Sequence, residues 1–144
     1  MTKPLSAWAP VVAWAALIFS MSTDSMSADH TRTILWPIVH FFHPSISDEA
    51  FDVVHFVVRK LAHFSEYAVF AFLLDRALRL GSSIAPSRAP IAAVVAAVLY
   101  SLTDEGHQAF VASRGPSLRD CGVDASGAAF MALGLAFLRR EKTG

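Results

Sequence analysis

The segment from Ala89 to Phe110 reads APIAAVVAAVLYSLTDEGHQAF and contains no charged residue before Asp104. Its length is close to the roughly 20 residues that an α-helix needs to cross the hydrocarbon core of a bilayer. The segment therefore predicts a transmembrane helix. Asp104 and the adjacent Glu105 would lie near the end of that helix, where their carboxylates require polar surroundings.

Three further apolar segments predict three more transmembrane helices, at residues 5–23, 61–80 and 120–138. The span at 61–80 is apolar in its middle and carries ionisable residues near both ends. Short connections that contain Gly, Ser and Pro follow the second and third spans. We therefore expect a single domain over residues 1–144, with an all-α fold in which four transmembrane helices form a small bundle.

The composition agrees with a membrane protein. Hydrophobic residues make up 54% of the 144 residues and charged residues 17%, a balance outside the usual range for soluble domains. The 12 Lys and Arg residues balance 12 Asp and Glu residues, so the formal net charge is zero. Because nucleic-acid-binding proteins normally carry a basic excess, we expect no nucleic-acid partner.

A short amphipathic helix is predicted between the first and second spans. Residues 33–42 place apolar side chains at helical spacing beside Trp36 and His40, and Pro44 closes the segment. A helix of this kind lies in the interface between membrane and water. Ser47, which two acidic residues follow, signals the start of the next helix, so we expect the second transmembrane helix to begin outside the bilayer.

The distribution of basic residues predicts the orientation. Seven of the 12 Lys and Arg residues fall on the side of the predicted bundle that carries both termini, and five fall on the opposite side. Because basic residues concentrate on the cytoplasmic side, we expect a multi-pass protein of the inner (cytoplasmic) membrane with both termini in the cytoplasm. Ten of the 12 acidic residues fall at or near the outer face, which indicates a polar site there, facing the periplasm or the exterior.

Three of the predicted helices carry carboxylates at one depth. Glu66, Asp104 and Asp124 should all lie within roughly 10 Å of the outer boundary of the hydrocarbon. A carboxylate that faces lipid costs about 2.5–3.5 kcal/mol, so these groups are expected to face the bundle interior. The cations at the same level are Arg59, Lys60, His63, Arg114 and Arg119. The pattern predicts a buried ion-pair network that opens outward as a polar cup.

Two motifs in this region resemble those of a known family. Residues 59–67 read RKLAHFSEY and residues 104–110 read DEGHQAF. Both are similar to motifs of the VanZ-like family, small bacterial membrane proteins named for a component associated with resistance to the glycopeptide teicoplanin. The family's loop and fourth-helix pattern is matched at Arg114, Ser117, Leu118, Arg119, Asp120, Asp124 and Gly127.

The resemblance runs from about Phe19 to Gly134 and departs from the family at two places. Ser20, Met21 and Ser22 stand where related sequences often have Ser-Ser-Gln, and Gly106 replaces a larger residue. A role for a first-helix glutamine is therefore not expected here. The resemblance supports the prediction of a site at these residues, and it does not indicate which reaction, if any, the site carries out.

Four functions are compatible with the polar cup. The first is binding of the anionic or zwitterionic head group of an outer-leaflet amphiphile, such as a lipid-linked envelope precursor or a lipoglycopeptide, with the cations as clamps. The resemblance implies that such binding affects susceptibility to teicoplanin. The second is acid–base or metal-assisted hydrolysis of a lipid head group, with Asp104 or Glu105 as base and His63 as acid. The others are a structural charge network and proton-coupled transport.

The sequence also predicts which residues and partners take part. The candidate catalytic residues are Asp104, Glu105 and His63. The candidate ligand-binding residues are Arg59, Lys60, His63, Glu66, Tyr67, Asp104, Glu105, Gln108, Arg114, Ser117, Asp120 and Asp124. No HExxH or equivalent pair is present, so we expect neither a metal site nor a cofactor.

The expected partners are membrane lipids or a lipid-linked envelope precursor. A second copy of the chain is a further expected partner, because small residues on the fourth span let another helix approach closely. The same small-residue face is also compatible with close packing inside the monomer. The small residues are Ala125, Gly127, Ala129 and Gly134.

Overall fold

The computed structural model describes residues 3–21, 28–108 and 117–140. These residues form five α-helices and contain no strand. The helices are α1 at Lys3–Met21, α2 at Ala28–Phe42, α3 at Asp48–Gly81, α4 at Ala89–Gln108 and α5 at Leu118–Arg140. The predicted all-α fold is confirmed.

Most helix boundaries agree closely with the predicted spans. α1 ends at Met21 and α4 ends at Gln108, each two residues before the predicted end, and α5 extends two residues beyond 120–138 at both ends. Residues 22–23 and 109–110 of the predicted spans lie outside the described residues. α2 begins five residues before the predicted segment 33–42.

α3 is a single helix of 34 residues, and the predicted span 61–80 is its C-terminal part. Ser47 caps the helix, since its side-chain oxygen accepts a hydrogen bond from the Ala50 N–H at 3.3 Å. Two acidic residues in the first turn favour the same start through the helix dipole. At ~1.5 Å per residue the helix is roughly 50 Å long, so its first turns extend well past the start of α5.

Two of the helices are long and apolar enough to cross a membrane. They are α4, over Ala89–His107, and α5, over Leu118–Arg139. The apolar part of α1, Leu5–Met21, is shorter, and α3 carries charged residues along much of its length. On length and composition alone, a bundle of four transmembrane helices therefore stays a prediction.

Contacts between side chains determine the direction of the helices. α3 and α5 are parallel, because Lys60 pairs with Asp120 near the start of α5 and Asp75 pairs with Arg139 near its end. α4 follows α3 after the short connection at 82–88 and returns antiparallel to it.

α1 runs antiparallel to α3. The Trp8 indole N–H donates to the Gly81 carbonyl at 3.5 Å, and the Trp14 indole N–H donates to the Glu66 carbonyl at 3.0 Å. α1, α3, α4 and α5 therefore alternate in direction. We call the end where α3 and α5 finish the Asp75 end, and the end where α5 starts the Asp124 end. The first residue of α1 and the last residue of α5 both lie at the Asp75 end.

The faces of α4 differ in the size of their side chains. Ala89, Ala93 and Ala97 recur at every fourth position and are fully buried, so α4 lies close to its neighbours. Larger side chains of the same helix, including Ile91 and Val95, are exposed on its outer surface. α4 therefore turns small residues to the inside of the bundle and large apolar residues to the outside.

α2 packs against the first turns of α3. The Trp36 ring meets the Phe51 ring edge-on at 4.6 Å between centroids, and Arg32 forms an ion pair with Asp52. Its amphipathic character is as predicted, whereas its place in the membrane interface stays a prediction. The opposite face exposes Ile34, Ile38, Phe41 and Phe42.

The backbones of α3 and α5 approach each other closely at Gly127. A Cβ atom placed there would overlap the carbonyl oxygen of Phe64 and lie 2.9 Å from its carbonyl carbon. Only glycine, which has no side chain, allows the two backbones to come this close. Gly127, which was predicted to lie on a small-residue face, is therefore used for packing within the monomer.

Replacing Gly127 with Ala should lower the free energy of unfolding by about 1–3 kcal/mol, the usual cost of overpacking, because the new methyl group collides with the α3 backbone. Unfolding of the purified protein in detergent micelles measures the change. The matched control is Gly134→Ala, since a Cβ there meets no atom within 4 Å. Equal losses in the two variants would contradict the close contact.

Candidate functional site

An open cleft of about 320 Å³ lies at the Asp124 end of the bundle, between α3 and the start of α5. Helical spacing explains its wall, because His55 and Arg59 are one turn apart, as are Phe56 and Lys60. The residues that line the cleft are His55, Phe56, Arg59, Lys60, Ser117 and Asp120. The cleft therefore combines two permanent cations with one carboxylate and one exposed aromatic ring.

Lys60 and Asp120 form an ion pair across the cleft. Asp120 also accepts a hydrogen bond from the Ser117 hydroxyl at 3.1 Å, and its backbone N–H donates to the Ser117 carbonyl at 2.8 Å. An acidic residue in the first turn suits the positive end of the α5 dipole. The charges of Lys60 and Asp120 are therefore both paired, and the pair forms the α5 side of the cleft.

Arg59 is the charged residue of the cleft whose side chain is available to bind a ligand. Its side chain is half-buried and makes no hydrogen bond or ion pair with any other residue that the structure describes. On a helix, consecutive residues point about 100° apart, and of these two neighbours it is Lys60 that reaches Asp120 on α5. Its guanidinium can present a planar set of N–H donors to an oxyanion.

A second set of polar groups lies deeper, between α3, α4 and α5. Asp124 is 2% exposed and accepts a hydrogen bond from the Ser101 hydroxyl at 2.6 Å. Its other carboxylate oxygen lies 3.2 Å from His63 Nδ1. Asp124 on α5 thus joins α4 through Ser101 and α3 through His63.

Glu105 connects this deeper set to the floor of the cleft. The residue is only 5% exposed, and its carboxylate accepts a hydrogen bond from the Ser117 backbone N–H at 2.6 Å. Its Oε1 atom is buried and has no hydrogen-bond partner among the described residues. Asp104 and Tyr67 are also buried at this level. We call His63, Tyr67, Ser101, Asp104, Glu105 and Asp124 the buried polar layer.

α1 is attached to the bundle just below this layer. The Tyr100 hydroxyl of α4 donates to the Ala15 carbonyl at 2.7 Å. On α3, the Glu66 carbonyl accepts a hydrogen bond from the Trp14 indole of α1, as described above. Both bonds use main-chain carbonyl groups, so they position α1 without using a charge of the site.

The structure divides the predicted site residues into groups. Arg59, Lys60, Ser117 and Asp120 line the cleft. Glu66 is half-buried on α3, Gln108 ends α4 with a side chain that is not described, and Arg114 lies outside the described residues. The others belong to the buried polar layer, namely His63, Tyr67, Asp104, Glu105 and Asp124. Their role in binding or catalysis stays a prediction.

One expectation about the charge network is wrong in part. Five cations were expected to pair with the carboxylates. Lys60 and His63 do so, with Asp120 and Asp124, whereas Arg59 and Arg119 have no ion pair among the described residues and Arg114 lies outside them. Lys60 and His63 are three residues apart and share the face of α3 that packs on α5. Arg59 points into the cleft instead, and Arg119 is exposed.

Several residues of the site were not predicted. His55 and Phe56 line the cleft, and they could have been found, because each lies one turn before a predicted cation. Ser101 lies at the end of an apolar run, and nothing in one sequence distinguishes its hydroxyl from those of Tyr100 and Thr103. No three His, Cys, Asp or Glu side chains of the described helices are grouped as a metal site.

The Asp75 end carries its own ion cluster. Asp75 is buried and accepts two hydrogen bonds from the Arg139 guanidinium and one from Arg79 Nε at 3.3 Å. Arg79 Nη2 also donates to the Pro86 carbonyl at 3.1 Å. This cluster joins the ends of α3 and α5 to the connection at 82–88.

Comparison with known proteins identifies a family that the chain matches. A family model described as VanZ/LLP1 matches residues 7–139, nearly the entire chain. No curated protein matches the chain significantly, and no solved structure does so either. The matched range includes the cleft and the buried polar layer.

Asp124 and His63 should depend on each other for stability. Replacing either with Ala leaves the other in the buried layer without its partner, so the double variant should be more stable than the sum of the single losses predicts, by about 0.5–3 kcal/mol. Unfolding in micelles of the wild type and the three variants measures this coupling. The exposed pair Arg32 and Asp52 is the control, with an expected coupling below about 1 kcal/mol. A buried pair that couples no more than this control would contradict the proposed link.

Proposed function

The chain belongs to the VanZ-like family, and we propose that it is a four-span protein of the cytoplasmic membrane. In this proposal its cleft faces outward and binds the anionic head group of an outer-leaflet amphiphile. The observation that carries the binding proposal is Arg59, a cation that lines the cleft and has no partner among the described residues.

The distribution of side chains supports the membrane part of the proposal. A helix in the core of a soluble protein is mostly buried, whereas only 33% of the apolar window of α4 and 22% of that of α5 are buried here. Ile91 and Leu133 are each 71% exposed, while Asp75 and Asp124 are buried. Large apolar side chains outside and charged groups inside suit a bundle that is surrounded by lipid.

The alternating helix directions support a four-span topology. The C-terminal part of α3 lies beside α4 and α5, the two helices that pass the length criterion, and α1 packs on α3 and is bonded to α4. The charges of α3 within that part are engaged in the bundle or lie near its ends, as Asp75 and Arg76 do. We propose that the Asp75 end, where the basic residues exceed the acidic ones, faces the cytoplasm together with both termini.

Cysteine labelling tests this topology. In a Cys121→Ala background, Ser45→Cys before α3 should react with a membrane-impermeant maleimide on intact cells. Ser83→Cys, in the 82–88 connection, should react only after lysis, because it would lie in the cytoplasm. Both serines are exposed, so they form a matched pair. Labelling of Ser83→Cys on intact cells, or recovery of the chain outside the membrane fraction, would contradict the proposal.

The chemistry of the cleft favours an oxyanion. The guanidinium of Arg59 is suited to bidentate hydrogen bonds with phosphate or carboxylate. The exposed ring of Phe56 lies beside the cleft and offers apolar contact to the part of the ligand next to the head group. An amphiphile with a phosphate or carboxylate close to an apolar chain satisfies both features.

Lipid-linked envelope precursors and lipoglycopeptides are amphiphiles of this kind, and we propose that both are ligands. Binding of a lipoglycopeptide would change susceptibility to teicoplanin. Hydrolysis is the less supported alternative, because Glu105 and Asp124 hold Ser117, Ser101 and His63 in the bundle and do not line the cleft.

Arg59→Gln should weaken binding of a fluorescent polyprenyl phosphate to the purified protein by about tenfold or more, since a hydrogen bond to a charged group contributes roughly 1.5–3 kcal/mol. Fluorescence anisotropy in micelles measures the affinity. Arg119→Gln is the matched control, because it removes an equal charge from an exposed arginine that does not line the cleft.

Equal affinities of Arg59→Gln and the wild type would refute the role of the cleft. The effect on glycopeptides is measured separately, as fluorescent teicoplanin bound by cells that express matched levels of the same variants. If wild-type cells bind no more teicoplanin than cells with an empty vector, the proposed glycopeptide ligand is wrong, even where the polyprenyl phosphate binds.

A further inference from the structure

The Asp75 end contains arginines that do not take part in its buried ion cluster. Four arginines with described side chains belong to this end, and Asp75 is the carboxylate that pairs with two of them. Arg79 and Arg139 are bound to Asp75. Arg76 and Arg88 are exposed, and their side chains make no hydrogen bond or ion pair within the described residues.

The ion cluster holds these arginines in defined positions. Arg79 donates both to Asp75 and to the Pro86 carbonyl, so it fixes the 82–88 connection against the end of α3. Arg88 lies two residues after Pro86 and closes this connection with a hydrogen bond from its N–H to the Ala85 carbonyl at 2.8 Å. The 82–88 connection therefore carries Arg88 to the same end of α3 at which Arg76 and Arg79 lie.

Arg76 lies on an outward-facing apolar stripe of α3. Phe72 and Leu80 stand four residues before and after it, at 41% and 59% exposure, so they share its face. Arg79 is three residues further along and lies next to the same face. A guanidinium group thus sits within an exposed apolar stripe, between Phe72 and Leu80, beside a second guanidinium group that is already held in place.

From this arrangement we infer a second lipid site, which binds the phosphate of an anionic phospholipid in the leaflet at the Asp75 end. Arg76 and Arg88 contact the phosphate and the anionic head group, with Arg79 beside them, and an acyl chain lies along Phe72. Basic groups between or beside membrane helices bind anionic head groups in this way. The inference rests on the membrane placement proposed above and does not depend on the outer cleft.

Native mass spectrometry of the purified full chain tests the inference. The protein is kept in a neutral detergent with equal amounts of phosphatidylglycerol and phosphatidylcholine. The wild type should retain phosphatidylglycerol preferentially. In the double variant Arg76→Gln, Arg88→Gln the affinity for phosphatidylglycerol should fall by about fivefold for each arginine, the effect expected of one basic residue at an anionic surface.

The matched control is the double variant Arg32→Gln, Arg119→Gln, which removes the same charge at the Asp124 end from residues that do not line the cleft. It should retain phosphatidylglycerol as the wild type does. Equal losses in the two double variants would show attraction by net charge alone and would overturn the site, as would a wild type without preference for phosphatidylglycerol.

Two further arms separate the alternatives. Soluble glycerol phosphate should not displace the lipid at equal concentration, and displacement would show that the site takes a free phosphate and needs no acyl chain. Arg59→Gln reports on the outer cleft, so its effect is read independently of Arg76 and Arg88. Unfolding of the Arg76→Gln, Arg88→Gln variant in the same detergent should match the wild type, because Arg76 and Arg88 have no described partner to lose.

Discussion

A carboxylate that is removed from water must be paired, and this requirement on Asp124 organises the Asp124 end of the bundle. The residue lies at the junction of three helices, where its carboxylate accepts a hydrogen bond from the Ser101 hydroxyl of α4 and contacts His63 of α3. Because an unpaired buried charge is strongly unfavourable, these three helices must meet in one register. One turn further along α5, Gly127 lets the α3 backbone approach closely enough for that register to form.

The position of the cleft follows from that register. His63 and Lys60 of α3 both reach carboxylates of α5, at Asp124 and Asp120, whereas Arg59 lines the cleft and has no ion pair among the described residues. Between the buried polar layer and Asp75, the interior of α3 is formed by apolar residues such as Phe70, Ala71 and Leu74, so the ion clusters at the two ends are separated by an apolar core.

The sequence allowed most of the helices and the level of the site to be predicted. Long apolar runs and the spacing of carboxylates are properties of a single helix, so 89–108 and the polar face of α3 could be read directly. Partner choice depends on rotation of one helix against another, which is why Lys60 and His63 were not singled out over Arg59. The pair of Asp75 with Arg139 lies 64 positions apart in the chain, and no pattern within either helix indicates it.

α3 is continuous from Asp48 to Gly81, and this continuity has a mechanical consequence. α2 is attached to its first turns through Trp36 and Phe51, and the cleft begins one turn later at His55. No loop or break between them could absorb a displacement. A force applied to the exposed face of α2 would therefore be transmitted along a rigid helix whose C-terminal part is fixed in the bundle. Any bending would occur near the cleft, where α3 enters the bundle.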